Sequence, residues 1–279
     1  MRQQALNERA EPLNTMTSQL FNLEGKVALV TGATHGLGMA MAKGLASAGA
    51  TLVINGHSSQ EKIDAALAEY KAEGIQAYGY LFNVTDEKAV EKAVSTIEKD
   101  VGPIDILVNN AGIIRRVPLL DMPLEEWELV IKTDLTGVFT MTRPVVRNMI
   151  KRGGGKVINI CSMMSELGRN SVGAYAAAKG GLKMLTRNMA TEWAKHNVQV
   201  NGIGPGYFAT TQTAPIRVDG NPMNEFIISR TPAGKWGDPN DLQGTTIFLS
   251  SAASNFVTGQ IVYVDGGILA TIGKPANEQ

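Results

Sequence analysis

Three side chains with complementary chemistry occur between positions 162 and 179 of the sequence. Tyr175 and Lys179 are four residues apart in an alanine-rich segment without proline, a spacing that places them on one face of a helix. Ser162 directly follows an apolar run, residues 156–161, that predicts a buried strand. A phenol ionises only near about pH 10, and a cation one turn away favours its phenolate. The pattern predicts a general acid/base for the proton of a carbinol, although the same spacing occurs on ordinary amphipathic helices.

Short β-branched runs alternate with helical patterns from residue 26 nearly to the end of the chain. The predicted strands are 26–31, 51–55, 76–81, 104–109, 156–161, 198–203 and 260–264. The predicted helices are 36–48, 59–73, 86–100, 123–151, 173–196 and 238–252. Because the strands are apolar almost throughout, the alternation predicts a parallel sheet with helices on both faces. Ligands of such sheets bind beyond the carboxyl ends of the strands, where the motifs of this sequence lie.

The chain has no internal repeat and no proline- or serine-rich linker that would divide it. We therefore predict one doubly wound α/β domain over residues 21–279, with an elaboration on the substrate side around 207–236. Residues 1–20 are polar and aperiodic, and we expect them to form an extension outside the fold that is disordered.

Composition excludes several classes of protein. Lysine plus arginine and aspartate plus glutamate both total 26, so the net charge is zero and there is no global basic field for nucleic acid. The single cysteine, Cys161, excludes an internal disulfide. No apolar stretch is long enough to cross a membrane, and residues 1–20 lack the apolar core of a signal peptide. We expect a cytoplasmic protein with neither a nucleic-acid nor a membrane partner.

A glycine-rich turn lies between the first predicted strand and the first predicted helix. Its glycines are spaced G-x3-G-x-G, which allows a tight turn and lets backbone N–H groups approach a pyrophosphate at the helix N-terminus. The same letters could form a purely structural turn, but the position at the start of a strand–helix–strand series favours cofactor binding. The candidate residues here are Gly32, Thr34, His35, Gly36, Leu37 and Gly38.

The end of the second strand bears on the choice of cofactor. In an NAD site a carboxylate near this position holds the ribose 2′-hydroxyl, and it would repel a 2′-phosphate. No carboxylate occurs from Asn55 to Gln60, whereas Asn55, His57, Ser58 and His35 can all donate hydrogen bonds. We therefore predict NADP(H), with NAD(H) as the less favoured alternative, unless these residues form a plain loop.

Small and amide residues follow two other strands. Asn110, Ala111 and Gly112 follow the fourth strand, and Pro205 and Gly206 follow the sixth, with Phe208 and Thr210 after them. Small side chains allow a backbone to lie against a flat ring, although ordinary turns use the same residues.

Taken together, these motifs resemble those of the short-chain dehydrogenase/reductase family over about residues 23–268. The resemblance rests on TGATHGLG at 31–38, NNAG at 109–112, Ser162 with Tyr175-x-x-x-Lys179, Pro205-Gly206 and VDGG at 264–267. It implies a single Rossmann-like, doubly wound domain with a seven-stranded parallel sheet. It also implies hydride exchange between a nicotinamide and an alcohol or ketone.

The resemblance implies roles for individual residues. Tyr175 would be the acid/base, Lys179 would promote ionisation of the phenol and hold the nicotinamide ribose, and Ser162 would polarise the substrate oxygen. Asn110, Ala111 and Gly112 would line the cofactor, Thr210 would hold its carboxamide, and Asn83 with Val84 would lie at the adenine. Family members commonly form tetramers through the helices that correspond to 123–151 and 173–196, so we expect a homotetramer.

One position departs from the family pattern. The fourth catalytic position, usually asparagine, is Asp134. An ionised aspartate accepts hydrogen bonds but does not donate them. In the family this residue helps to anchor a water molecule next to the lysine, and an acceptor can take that part.

Within the family, NNAGIIRR at 109–116 is most similar to the gluconate 5-dehydrogenases and the 2-deoxygluconate 3-dehydrogenases, and NGH at 55–57 resembles the NGR of NADP-using members. This resemblance implies NADP-dependent interconversion of D-gluconate and 5-keto-D-gluconate. Arg115 and Arg116 are the candidates for binding the sugar acid. Because successive extended residues point in opposite directions, we favour Arg115.

Glu166 complicates this prediction, because a carboxylate beside an anionic sugar acid would repel it. Glu166 could turn away, pair with an arginine such as Arg169, or bind a divalent cation that bridges to the substrate.

Two other functions stay open from the sequence. A 3-oxoacyl-carrier-protein reductase would need a basic patch for its acidic partner, which the balanced charge does not obviously supply. A catalytically silent NADPH-binding regulator belongs to a different class, and the intact Ser162, Tyr175 and Lys179 argue against it.

Overall fold

The structure of the chain is a computed structural model that describes residues 19–273. Residues 1–18 of the predicted extension, and residues 274–279 of the predicted domain, lie outside the described range. Among the described helices, none combines the length and the apolarity that a membrane span requires.

Seven parallel strands form one sheet in the order β3-β2-β1-β4-β5-β6-β7. The strands are β1 (Val27–Val30), β2 (Thr51–Gly56), β3 (Ala77–Leu81), β4 (Ile104–Asn109), β5 (Gly155–Ile160), β6 (Val198–Pro205) and β7 (Ile261–Val264). The predicted seven-stranded parallel sheet is confirmed, and each observed strand coincides with a predicted one to within two residues at either end. Their continuous apolar character follows from burial on both faces of the sheet.

Helices cover both faces. They are α1 (Gly36–Ser47), α2 (Gln60–Ala72), α3 (Glu87–Asp100), α4 (Leu124–Ile131), α5 (Gly137–Arg152), α6 (Gly173–Trp193), α7 (Pro222–Arg230) and α8 (Gln243–Ser250). Alternate side chains of β1 enter two separate cores: Ala28 and Val30 pack with α1, α2 and α8, while Val27 and Leu29 pack with α3, α5 and α6. The domain is therefore doubly wound, as predicted.

The helix prediction was wrong at three places. The predicted helix 123–151 is interrupted by a π-helical segment, Lys132–Thr136, between α4 and α5. The predicted helix 238–252 divides into a 3₁₀ turn (Pro239–Leu242), α8 and a second 3₁₀ turn (Ala252–Ser254). Helix α7 was not predicted, although it begins with Pro222 and is capped by the side chain of Asn221, both of which are typical of a helix start.

The strand order reverses between β1 and β4. From β1 the chain proceeds through β2 and β3 on one side, and then crosses to place β4 on the other side of β1. Because the connections leave the carboxyl ends of β1 and β4 in opposite directions, a crevice opens there. This crevice contains the candidate active site.

Candidate active site

A cleft of about 840 Å³ opens at the carboxyl ends of β1 to β6. All the residues that the sequence predicted to bind cofactor line this cleft except Pro205, which is buried as the last residue of β6. Ser162, Asp134, Arg115 and Arg116 line it as well, whereas Glu166 does not. The topology therefore brings together motifs as distant in the sequence as Gly32 and Thr210.

Ser162, Tyr175 and Lys179 come from two consecutive elements. Ser162 follows β5 and caps a 3₁₀ turn, where its Oγ accepts a hydrogen bond from the Met164 N–H at 3.1 Å. Tyr175 lies in the first turn of α6, and Lys179 follows one turn later. The Lys179 Nζ lies 5.5 Å from the centre of the Tyr175 ring and donates to the Ile160 carbonyl at 2.8 Å. The three side chains therefore share one wall of the cleft.

Asp134 reaches this wall from the π-helical segment. It is completely buried, its Oδ1 accepts the Ile113 N–H at 2.7 Å, and its Oδ2 lies 3.3 Å from Lys179 Nζ. Burial is the largest single influence and would lower the pKa of Lys179, but the charge of and hydrogen bond to Asp134, together with the Tyr175 and Cys161 side chains, outweigh it and the pKa is raised. Burial raises the pKa of Asp134, and the charge of Lys179 offsets part of that effect. The pair keeps Lys179 cationic next to Tyr175.

The glycine-rich turn is a cradle that side chains would fill. Gly32 and Gly36 have φ of +63° and +59°, a region that L-residues rarely adopt. A Cβ on Gly38 would lie 2.4 Å from both the Asn110 Nδ2 and the Gly32 carbonyl oxygen. Asn110 in turn donates to the carbonyls of Thr31 and Gly32 at 2.9 and 3.0 Å. The turn therefore holds its backbone open at the N-terminus of α1, which suits a dinucleotide pyrophosphate.

Asn55 has a structural role that the sequence did not reveal. Its side chain is buried, its Nδ2 donates to the Phe82 carbonyl at 2.9 Å, and its Oδ1 accepts the Gly32 N–H at 3.4 Å. Asn55 thus ties the end of β2 to the end of β3 and to the glycine-rich turn. The residues beyond it, His57 and Ser58, line the cleft.

Lys62 lines the same end of the cleft and was missed from the sequence. It lies in the first turn of α2, where Ser59 caps its backbone N–H at 3.4 Å. The cap and the position just past β2 were both visible in the sequence, and they could have drawn attention to this lysine. Asn83 also lines this region, and its Oδ1 accepts the Thr85 N–H at 3.0 Å.

The partners of the two adjacent arginines and of Glu166 are set by the fold. Arg115 and Arg116 both line the cleft, but the guanidinium of Arg115 is paired with Glu126. The Glu166 carboxylate accepts hydrogen bonds from Lys183 and from the Tyr263 hydroxyl rather than from Arg169. The Lys183 and Tyr263 hydrogen bonds lower the pKa of Glu166. Glu166 therefore turns away from the cleft, the first of the three possibilities considered for it.

No group of three or more histidine, cysteine, aspartate or glutamate side chains within residues 19–273 is placed to hold a metal ion. The Glu166 hypothesis of a bridging cation gains no support from its surroundings.

Charge in the cleft is strongly one-sided. Among the described residues, the lysine and arginine side chains that line it are Lys62, Arg115, Arg116, Arg169 and Lys179, and the one carboxylate is Asp134. The whole chain has a formal net charge of zero, so the positive charge at this site is local. A cleft of one sign attracts anionic ligands. This field suits both a phosphorylated cofactor and a substrate that carries a carboxylate.

The arrangement defines an oxidoreductase that binds a dinucleotide, and comparison with known proteins agrees. Residues 26–220 match the family described as short chain dehydrogenase. The chain belongs to the short-chain dehydrogenase/reductase family, and the predicted family and its Rossmann-like fold are confirmed.

Within this family, the chain is most like the gluconate 5-dehydrogenases and related sugar-acid dehydrogenases. It is 71% identical to the 2-dehydro-3-deoxy-D-gluconate 5-dehydrogenase of Formosa agariphila, over 95% of this chain and 100% of that protein. It is 48% identical to the gluconate 5-dehydrogenase of Gluconobacter oxydans, over 91% of this chain and 98% of that protein. A crystal structure of a gluconate 5-dehydrogenase from Burkholderia cenocepacia, in complex with NADP and tartrate, is 44% identical with a TM-score of 0.87 and covers 92% of this chain and 100% of that one.

Proposed function

We propose that this protein is an NADP(H)-dependent oxidoreductase that interconverts the C5 hydroxyl and the C5 ketone of a six-carbon sugar acid. The observation that carries the proposal is the convergence of Ser162, Tyr175 and Lys179 on a cleft whose charge is strongly positive. The protein is thereby a sugar-acid dehydrogenase of the short-chain family, in which the Tyr175 hydroxyl transfers the proton of the reacting alcohol.

The hydrogen bonds in the site support a division of labour. Because the Oγ of Ser162 already accepts the Met164 N–H at 3.1 Å, its own proton remains for the substrate oxygen. Lys179 has three N–H donors, one of which is used by Ile160 and one of which faces Asp134. The third is available for the ribose of the cofactor, and the positive charge favours the Tyr175 phenolate during proton transfer. NADP(H), when bound, supplies or accepts the hydride.

The cofactor fits the residues that are present. The cradle at Gly32 and Gly38 leaves space for a pyrophosphate where any larger side chain would collide with Asn110. At the end of β2, His57, Ser58 and Lys62 line the cleft, and no carboxylate lies among the lining residues there. A cationic, hydrogen-bonding surface accepts a 2′-phosphate, which supports NADP(H) over NAD(H). The Burkholderia relative binds NADP.

Two substrates share the proposed chemistry. The sequence predicted D-gluconate and 5-keto-D-gluconate, in line with the Gluconobacter relative. The higher identity to the Formosa relative supports 2-dehydro-3-deoxy-D-gluconate, which we place first. Both acids carry a C1 carboxylate and a C5 hydroxyl, so the same cationic cleft could orient either one.

The proposal is tested by the change in absorbance of NADPH with each of the two acids. Tyr175→Phe keeps the ring packed and removes the hydroxyl. We expect turnover to fall by ~10²–10⁴, the usual contribution of general acid/base catalysis, while NADPH still binds. Wild-type protein that reduces NADP⁺ with neither acid would contradict the proposed function. Near-normal turnover by the variant would contradict the role of Tyr175.

We also propose that the protein is a homotetramer. Helices α4, α5 and α6 carry large apolar side chains that are exposed in the single chain, including Leu124, Phe139 and Met184. Such side chains on neighbouring helices favour contact with another copy of the chain. Light scattering during size-exclusion chromatography would give the mass of the assembly directly.

A further inference from the structure

Arg169 presents an uncompensated positive charge to the part of the cleft that Tyr175, Tyr207 and Trp236 also line. Its Nη1 donates to the Tyr207 hydroxyl at 3.0 Å, and its guanidinium carbon lies 5.8 Å from the centre of the Tyr207 ring. Within residues 19–273, Arg169 takes part in none of the ion pairs. A half-buried cation is costly when its charge has no counter-ion. An anionic ligand would remove that cost.

The other cations of the cleft are less suited to the acid group of the substrate. Lys179 faces Asp134, and Arg115 is paired with Glu126. Lys62 follows β2, whereas Ser162 follows β5. Because β1 and β4 lie between these two strands, the ends of β2 and β5 are roughly 14 Å apart across the sheet. Arg116 is exposed at the rim. Arg169 alone among these five is both without a carboxylate partner within the described residues and partly enclosed.

Arg169 is also held in place. Tyr207 packs edge-to-face on Trp236, with 5.8 Å between ring centres, and the Trp236 Nε1 donates to Asn224 on α7 at 2.7 Å. A guanidinium has five N–H donors in a planar fork, and Tyr207 takes one of them. The remaining donors match a carboxylate in two parallel hydrogen bonds, and fixing the fork in advance reduces the entropy lost on binding.

The position of Arg169 relative to Tyr175 suits a sugar acid that contacts both residues. It lies at the start of the segment that leads into α6, six residues before Tyr175. Tyr175, Tyr207 and Ile114 pack against the same apolar cluster, which contains Met163 and Val172. Tyr175 at the reacting centre and Tyr207 at the guanidinium therefore contact one apolar cluster, and Met163 and Val172 of this cluster line the cleft, where the carbon chain of a sugar acid could lie.

We propose that Arg169, positioned by Tyr207, binds the C1 carboxylate of the substrate while Ser162 and Tyr175 contact the C5 oxygen. This assignment rests on the proposed function, and it replaces Arg115 as the expected carboxylate ligand. Tyr207 is a positioning residue, since it acts on the substrate through Arg169.

The test compares an acid with its neutral analogue. Arg169→Gln, Arg116→Gln and the matched control Arg147→Gln are assayed with D-gluconate and with D-gluconamide, in which the carboxylate is replaced by a neutral amide. Arg147 is exposed on α5 and is not among the residues that line the cleft. We expect Arg169→Gln to lower kcat/KM for gluconate by about 10- to 150-fold, mostly through KM, and to leave gluconamide within about threefold of wild type. Tyr207→Phe should raise KM for gluconate severalfold with kcat unchanged. The dissociation constant of NADPH, from fluorescence, should be unchanged in every folded variant.

A direct binding measurement separates this proposal from the proposed function. Tartrate is titrated calorimetrically into wild-type protein, Arg169→Gln and Arg169→Lys, each saturated with NADP⁺. We expect the dicarboxylate to bind wild type at least tenfold more tightly than Arg169→Gln, with Arg169→Lys between them because lysine keeps the charge but not the fork. If wild type oxidises no sugar acid, this titration still tests Arg169. Equal tartrate binding by wild type and Arg169→Gln would overturn the assignment, and so would a loss of kcat/KM for gluconate that is confined to Arg116→Gln in the kinetic assay.

Discussion

Replacing Tyr70 with phenylalanine should loosen the glycine-rich turn without touching the cleft. Tyr70 lies on α2, is completely buried, and donates its hydroxyl proton to the Ala33 carbonyl at 2.8 Å. Ala33 is the residue after Gly32 and is itself completely buried, so water cannot replace the lost donor. The substitution keeps the aromatic ring and its packing, and it isolates the effect of one hydrogen bond.

The expected magnitude follows from leaving a buried carbonyl without this partner. Such a loss costs ~1–3 kcal/mol, and we expect a decrease of about 1.5 kcal/mol in the free energy of unfolding. For a chain of this length that corresponds to a fall in Tm of roughly 3–6 °C. Because the turn would be less well ordered before binding, the affinity for NADPH should also fall, by no more than roughly tenfold.

Urea denaturation followed by tryptophan fluorescence measures the stability, and fluorescence titration measures NADPH binding. Tyr78→Phe is the matched control, since Tyr78 is 38% exposed at the edge of the sheet and should change neither quantity. A loss of stability below ~0.5 kcal/mol in Tyr70→Phe would refute the reasoning that this hydrogen bond supports the turn. A stability loss with unchanged NADPH affinity would refute the link from the bond to the cofactor site.

Two further predictions concern the charges of the cleft. In Asp134→Asn, the Ile113 N–H keeps an acceptor, but the anion that raises the pKa of Lys179 is lost, so that pKa should fall. Lys179 would then lose its proton at lower pH, and the alkaline limb of the kcat–pH profile should move to lower pH; an unchanged limb would contradict this. Lys62→Met should weaken NADPH binding roughly tenfold and NADH binding little, because only NADPH carries a 2′-phosphate. His57→Asp should erase or reverse the preference for NADPH over NADH, because the new carboxylate would repel the 2′-phosphate. The affinities for NADPH and NADH are measured by parallel titrations. Equal losses of affinity for the two cofactors would show that neither residue contacts the 2′-phosphate.

The fold and the centre of the site were predictable because their signals are local. Continuous apolar runs that alternate with helical patterns along the chain indicate a parallel sheet. A spacing of four residues places Tyr175 and Lys179 on one helix face. Parallel strands also fix where their carboxyl ends meet, so motifs after different strands had to line one cleft. Helix α7 was missed even though Asn221 and Pro222 marked its start, because the segment lacks a clear apolar period.

The partners of the charged and amide side chains depended on the tertiary structure. Asn55 looked like a cofactor ligand, but its amide satisfies backbone groups of neighbouring segments; Glu166 pairs with Lys183 and Tyr263, the latter 97 residues away. Likewise, Arg169 meets Tyr207 across 38 residues. Sequence by itself determined which strands form, through their apolar patterns, and which edge of the sheet carries the chemistry, because the carboxyl ends of parallel strands meet at one edge. Only the packing decided which charges are neutralised and which remain for a ligand, because ion pairs form between side chains that the fold brings together and that spacing along the chain does not relate.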